Sequence, residues 1–331
     1  MVRTLRTLAL LAILLLSGSV LSTHPALAQT SYMPGAGPNP SAPSDSVVRV
    51  VVHPLAPGVY AAKVRYVWTG WVELPDGILL IDSSLDDSTA AMLADSIRVR
   101  SGAKPIKYLV NTHAHLDHIG GNNYFASRGA TIIAQASVAA RIDSTMRARA
   151  GSTVNVKEFK PVMKVDRKKI LGPADRRVEI LWFGRPAHSA ADLIVYLPKQ
   201  KVLFAGDIVT NKSVPWMLDP AMNRKNWIAA VDSIMGKGFT ADSIVPGHGI
   251  LAPKVDEYRF IHGYLTDAYN RAAKIASMGT SLNAFKDWGY VGPYEDAEFY
   301  NEVHFMNMRR LYNEALGIKT PGRAQPGAFK K

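Results

Sequence analysis

Residues 113 to 118 read His-Ala-His-Leu-Asp-His, which sets three histidines and one aspartate in six positions. A lone histidine after an apolar run is ordinarily a core or cap residue, but packing gains nothing from four neighbouring titratable side chains. Burying them unpaired costs several kcal/mol, whereas one divalent cation serves all of them, and imidazole with carboxylate is a donor set that zinc takes. His113 and His115 are two apart in an extended segment, so their rings project to one side. The turn that follows can aim Asp117 and His118 at a neighbouring position, with Gly120-Gly121 expected to supply backbone freedom for the change of direction. That division leaves room for two metals.

Three further candidates sit at strand ends or in Gly/Pro turns: His188 in Pro-Ala-His-Ser-Ala-Ala-Asp (186–192), Asp207 in Phe-Ala-Gly-Asp (204–207) and His248 in Val-Pro-Gly-His-Gly (245–249). Each alone reads as a cap or turn residue; together they read as the completion of a binuclear site. Two divalent ions about 3.5–4 Å apart can share a hydroxide, because metal binding lowers the pKa of water from about 15.7 to about 7. Such a nucleophile attacks a carbonyl carbon, while Asp117 and Asp207 orient the water or accept its proton. No protein nucleophile is needed, in keeping with a chain that has no cysteine and no nucleophile-elbow motif.

The order His-x-His-x-Asp-His, then a later His, an Asp after Phe-Ala-Gly and a His in Pro-Gly-His-Gly resembles the metallo-β-lactamase-fold hydrolase superfamily over roughly residues 59 to 253. The resemblance implies an α/β chain folded as a four-layer αββα sandwich. It also implies two zinc ions, with iron or manganese as alternatives: the first held by His113, His115 and His188, the second by Asp117, His118 and His248, with Asp207 bridging. One main group of family β-lactamases has cysteine, and another serine, where this chain has Asp207. The aspartate is closer to glyoxalase-type thioesterases and lactonases, although some bridging-Asp members open β-lactams. The expected activity is therefore hydrolysis of an amide- or ester-type bond in a small molecule. A mononuclear iron persulfide dioxygenase is the main rival within the fold, but it normally leaves second-site ligands unused and both sites here look complete. A phosphodiesterase or nuclease, and a non-catalytic metal-binding module, stand further off.

For the substrate pocket the candidates are Trp68 and Trp71, read as lying in a turn between early strands, and Trp216 and Met217, which follow the Asp207 segment. Asn211 and Lys212 are polar candidates near the same mouth. His53, His262 and His304 have no motif context and read as structural, while His24 departs with the signal peptide.

The elements that must position these residues follow from the patterning. Residues 1–28 carry Arg3 and Arg6, the apolar run Leu8 to Leu16 and Ala-Leu-Ala before a cleavage point after Ala28, the organisation of a secretory signal peptide. A membrane anchor would need about 20 unbroken apolar residues, and Ser17-Gly18-Ser19 interrupt this run. The mature protein is accordingly expected to be periplasmic or secreted, without a stable membrane anchor. Residues 29–46, rich in Pro, Gly and Ser, read as a flexible leader, 47–318 as one domain and 319–331 as a flexible tail. Of 331 residues 47% are hydrophobic, enough for a large core. The net charge of +12 becomes +10 once Arg3 and Arg6 leave with the signal. The basic run 164–169 reads as a solvated loop, and with export it argues for a small-molecule substrate and against nucleic acid.

Strands are expected at 47–52, 59–67, 71–74 and 78–82, a helix at 86–100 capped by Asp86, Asp87 or Ser88, and a strand at 106–111 leading into the metal cluster. A short helix at 122–127, a strand at 131–134 and a helix at 137–149 follow, then an irregular basic segment at 151–175. Strands at 178–183, 192–197, 201–204 and 243–245 alternate with a helix at 226–235, and helices at 256–277 and 297–316 close the chain.

Overall fold

The computed structural model describes residues 49–150, 162–236, 238–279 and 289–319. The signal peptide, the leader and all but the first residue of the tail lie outside them. Among the described residues no helix is long and apolar enough to cross a membrane.

The first half of the domain is one sheet. Strands β1 (Val50–Ala56), β2 (Val59–Val64), β3 (Val67–Leu74) and β4 (Gly77–Ile81) form an antiparallel meander. Helix α1 (Asp87–Ser101) then crosses back, so that β5 (Ile106–Val110) lies parallel to β4; β6 (Thr131–Gln135) and β7 (Met163–Val165) extend the parallel edge. Between them come α2 (Leu116–Ile119), α3 (Asn122–Ala126) and α4 (Ala136–Arg149). Helix α1 starts where expected because Asp86 and Thr89 form a capping box, satisfying two otherwise orphaned backbone donors.

The second half repeats the plan. Strands β8 (Lys168–Leu171), β9 (Val178–Trp182), β10 (Leu193–Leu197) and β11 (Val202–Asn211) run antiparallel; α5 (Arg224–Met235) brings β12 (Ser243–Gly249) back parallel to β11. Two long helices follow, α6 (Lys254–Ser277) and α7 (Tyr300–Ala315). The sheets meet through a bridge between Val67 of β3 and His248 of β12.

Alternation along the strands decides the layers. In β4, Ile78 and Leu80 pack with Leu93 and Ile97 of α1, Phe125 of α3 and Ile142 of α4. Leu79 and Ile81 face the other way, onto Val195, Phe204 and Val245 of the second sheet. In β10, Ile194 and Tyr196 pack with Trp227, Ile261 and Leu311 of α5, α6 and α7, while Leu193, Val195 and Leu197 enter the space between the sheets. Helices, sheet, sheet, helices: this is the expected αββα sandwich. Strands covered on both faces read as nearly continuous apolar runs, and each fully buried Val, Leu or Ile is worth about 1.5–3 kcal/mol.

Several boundaries differ from the sequence expectation. Strand β11 continues past Phe204 to Asn211, with register shifts around Gly206, so Asp207 sits within the strand and not after it. Strand β12 likewise runs through Pro246-Gly-His-Gly249. In both, parallel pairing outlasts the glycine that reads as a stop. Pro54 lies inside β1, which pairs only with β2; an edge strand tolerates the missing N–H. The basic segment contains β7 and β8, whose edge positions suit lysines.

Candidate metal centre

Four separate stretches deliver the seven expected ligands. His113 and His115 follow the end of β5, Asp117 and His118 lie on α2, His188 is in the loop between β9 and β10, and Asp207 and His248 lie on the paired strands β11 and β12. Their donor atoms form two groups, His113, His115, His188 and Asp207 in one and Asp117, His118 and His248 in the other, each within 4.8 Å and all buried residues or nearly so.

The Asp207 carboxylate faces both groups. Its Oδ2 is 3.7 Å from His113 Nε2, 3.3 Å from His188 Nε2 and 3.3 Å from His248 Nε2, and its Oδ1 is 3.1 Å from His118 Nε2. His188 Nε2 and His115 Nδ1 approach to 3.0 Å, and Asp117 Oδ2 lies 3.5 Å from His248 Nε2 and 3.9 Å from His118 Nε2. Buried His113 Nε2 and Asp207 Oδ1 have no hydrogen-bond partner. Left so, such groups cost about 1–3 kcal/mol each; a cation between them removes the penalty, so the donor set fits a metal.

A second row fixes which nitrogen each ring turns inward. His118 donates from Nδ1 to Asp82 Oδ2 at 2.9 Å, His115 from Nε2 to Asp219 Oδ2 at 3.1 Å, and His248 from Nδ1 to the Tyr66 carbonyl at 3.0 Å. The opposite nitrogen of each ring is thereby freed for a ligand role. His113 Nδ1 bonds to Thr112 Oγ1 at 3.0 Å, and Thr112 donates from both its backbone and its hydroxyl to Asp82. Asp82 holds these contacts from a left-handed backbone, φ 58°, a conformation costing about 1–3 kcal/mol outside glycine.

Gly120 and Gly121 act differently from the expectation. Gly120 has ordinary right-handed φ and ψ, and Gly121 a φ of −91°, so neither needs a glycine's freedom. A Cβ on Gly120 would instead collide with the Leu85 carbonyl, and one on Gly121 with the Ser83 carbonyl. The glycines let the chain that carries α2 lie directly on the loop after β4. Buried Ser83, Asn111 and Asn122 lock that contact with mutual hydrogen bonds of 2.8–3.0 Å.

A family model described as the Metallo-beta-lactamase superfamily matches residues 62–277, which span both sheets and all seven candidate ligands. The chain belongs to the metallo-beta-lactamase superfamily. Among curated relatives it is similar to a metallo-beta-lactamase type 2 of Elizabethkingia meningoseptica, with 28% identity over 57% of this chain and 69% of that one. It is also similar to the type 2 enzyme of Bacillus cereus, 24% identical over 52% of this chain and 63% of the relative. A linear primary-alkylsulfatase of a Pseudomonas strain is 22% identical over 74% of this chain and 55% of the relative. Of solved structures, a metallo-beta-lactamase from Pontibacter korlensis superposes with a TM-score of 0.55 at 20% identity, covering 66% of this chain and all of that one. The FIM-1 enzyme of Pseudomonas aeruginosa in its mono-zinc form gives 0.52 at 19% identity, covering 66% of this chain and 95% of that one. At these identities the structural likeness speaks for the fold.

The electrostatics of this superfamily member set charge against burial. Burial drives His113 well below the ordinary imidazole range and His188 down to about 3, so both stay neutral and able to donate a lone pair. Burial also opposes charge on His118 and His248, yet the Asp207 and Asp117 carboxylates lift both above that range. Asp207, whose burial favours the neutral acid, is held well below the carboxylate range chiefly by His248 and His118. Protons on His118 and His248 thus occupy the role that a cation takes over.

A narrow cavity of about 20 Å³ opens over these groups, lined by Tyr66, His115, Asp117, Asp207, Ser213, Val214, Trp216, His248, Phe299 and Val303. A larger one, about 750 Å³, is lined by Arg224, Arg310 and Glu314 among others and by none of the candidate ligands; chemistry favours the smaller. Of the four expected lining residues only Trp216 reaches it. Trp68 and Trp71 lie within β3, not in a turn. Trp68 is tied through Nε1 to the Gly249 carbonyl at 3.0 Å, and Trp71, fully buried, stacks on Tyr60 and donates to Ser101 Oγ. Met217 is buried in the helical layer's core. Asn211 is buried and donates to the Ile250 carbonyl, and Lys212 is exposed; neither lines the cavity. His304, bonded to the Tyr264 hydroxyl and the Gly289 carbonyl, is structural as expected.

Sequence reasoning passed over Asp82, Asp219, Tyr66, Ser213 and Phe299. Asp82 reads as the end of a strand, and Asp219 falls in no motif. Their link to the site is made only by the fold.

Proposed function

We propose that this protein is an exported binuclear hydrolase, with zinc the expected ion, that cleaves an ester, lactone, thioester or amide bond in a small molecule. The observation that carries the reading is the Asp207 carboxylate set between two complete ligand groups, since a mononuclear site has no use for a shared acid with three further ligands behind it. His113, His115 and His188 would hold one ion, Asp117, His118 and His248 the other, with Asp207 common to both. When bound, such a pair supplies Lewis acidity and a water ionised near neutral pH.

The chain's own residues do the rest. Asp82 and Asp219 hold the rings in position through their second nitrogens, so ligand geometry is set before substrate arrives. Asp117 presents a carboxylate oxygen at the cavity and can take up the proton that hydrolysis releases. Tyr66, Val214, Trp216, Phe299 and Val303 keep bulk water from the reacting centre.

Export rests on the arginine-led apolar start and the Ala-Leu-Ala before residue 29. A small-molecule substrate, and no nucleic acid, is in keeping with a cavity lining that includes no lysine or arginine.

Metal analysis of the purified protein coupled to turnover of lactone, thioester, β-lactam, sulfate-ester and phosphodiester substrates tests the reading. We expect about two zinc per chain, by the two-ion logic above, and hydrolysis of a carbonyl compound. One iron per chain with oxygen consumption on a persulfide would overturn it.

A further inference from the structure

The cavity of about 750 Å³ plays no part in the metal chemistry, since none of the candidate ligands lines it. It is of the size that takes a small organic molecule, about 300–1,000 Å³. Its walls come from the loop after Asp219, the first residues of α5 and the end of α7 with the residues that follow. Four of the lining side chains are cationic, Arg224, Lys225, Arg310 and Lys319, and one, Glu314, is acidic, which leaves a net charge of +3. One sign of charge gathered in a concave site draws in ligands of the other.

The two arginines are fixed in place by the fold. Arg224 is only 8% exposed; its Cζ lies 3.6 Å from the centroid of the Tyr269 ring, and its Nε and Nη2 donate to Glu314 Oε1 at 3.2 and 3.0 Å. Arg310, one turn before Glu314 on α7, donates from Nη1 to the Asp219 carbonyl at 2.9 Å and from Nη2 to the Met222 carbonyl at 3.1 Å. Residues four apart on a helix share a face, so Glu314 gathers both guanidinium groups beside it. Each guanidinium has five N–H groups, and these bonds use two on each. One carboxylate does not balance two arginines, and burial pulls Arg310 below the ordinary guanidinium range in spite of Asp219 and Glu314. Residues 320–331, which continue from Lys319, include Arg323, Lys330 and Lys331 and no acidic side chain, so that segment does not supply the missing negative charge.

We propose that this cavity is a second ligand site, which binds a small organic dianion through Arg224 and Arg310, with Lys225 and Lys319 adding positive charge and Pro220, Met222 and Ile318 meeting the body of the molecule. The guanidinium fork matches the oxygens of a phosphate ester and of a carboxylate alike, so the ligand class is set by charge and size. The site stands apart from the metal centre and does not rest on the hydrolase reading.

The test uses the mature protein loaded with zinc, the variant Arg310→Gln and the double variant Lys225→Gln/Lys319→Gln. Calorimetry measures binding of two aromatic dianions, phenyl phosphate and phthalate, with benzyl alcohol as the neutral control; circular dichroism and metal content are recorded for each protein. At least one dianion is expected to bind wild type more than about 10-fold tighter than benzyl alcohol, with an affinity that falls as salt is added. Arg310→Gln is expected to weaken that binding about 10- to 100-fold, the scale of lost charge-assisted hydrogen bonds, and the double variant about 3- to 10-fold. Binding of phenyl phosphate alone would identify the head group as a phosphate ester, and of phthalate alone as a dicarboxylate. The double variant changes only exposed side chains, so it decides the matter even where Arg310→Gln fails to fold or disturbs Asp219. Unchanged affinity in the double variant would place the anion elsewhere, the metal centre included, and overturn the proposal. Failure of both dianions to bind, or benzyl alcohol binding as tightly, would overturn it as well.

Discussion

Asp207 and Asp117 share one cage of histidines yet have different tasks. Asp207 is ringed by four imidazoles, of which His248 and His118 chiefly hold it ionised against its burial, so it is a fixed negative centre. Asp117 lies beside His118 and His248 and lines the cavity, which suits it to receive a proton. Replacing Asp117 by Ala is predicted to reduce turnover by about 10²- to 10⁴-fold, the range typical of a lost acid–base group, with an unchanged circular dichroism spectrum. Wild-type turnover in that variant would remove the role assigned to it. Asp219 belongs to neither ligand group, but its carboxylate orients His115. For Asp219→Ala we expect zinc affinity at the first group to fall about 10- to 100-fold, measured by chelator competition, with the other zinc retained more tightly. Equal loss at both would mean that Asp219 supports the site as a whole.

At the scale of elements, the paired strands β11 and β12 matter most, because two of the seven ligands ride on them and the bridge to β3 is made by His248 itself. Gly247 is the close-packed point: a Cβ there would meet the Asp207 carboxylate. Helix α6 carries a different burden. Glu257 in its first turn is fully buried, accepts one hydrogen bond from the Ala252 N–H, and is pushed up to about 8 by burial. Below about pH 4.5 the folded and unfolded chains both hold this proton. From there to about pH 8 only the unfolded chain ionises, so stability falls as pH rises, by at most about 1.4 kcal/mol per unit. Glu257→Gln is predicted to flatten this slope, so that its stability relative to wild type grows between pH 5 and pH 8 in urea titrations. Parallel curves across that range would show that Glu257 does not set the slope. The helices and most strands were legible from periodicity and caps, α1 through Asp86 above all. The long β11 was not, since Gly206 breaks the local pattern while pairing with β12, far along the chain, keeps the strand going.

For the whole molecule, the +10 charge expected after loss of the signal peptide has no counterpart in the lining of the cavity over the ligands, which favours a solvated surface over a charged substrate. Export gives the sharpest test at this scale: the mature protein recovered from outside the cytoplasm is predicted to begin at Gln29, read by N-terminal sequencing. An intact Met1 in that fraction would contradict it. The sequence alone pointed to the candidate ligand set, because seven His and Asp residues in those motifs have few uses but a metal, and through the family resemblance that those motifs carry it pointed to the four layers. Tertiary structure decided what surrounds the ligands. Asp82 and Asp219 reach their histidines from 36 and 104 residues away, and Phe299 and Val303, at the start of α7 and outside the matched region, line the cavity. Trp71 and Trp68, plausible pocket residues by position, turn into packing because strand pairing dictates the face that each side chain takes. Such contacts depend on which distant surfaces meet, and no local spacing encodes that.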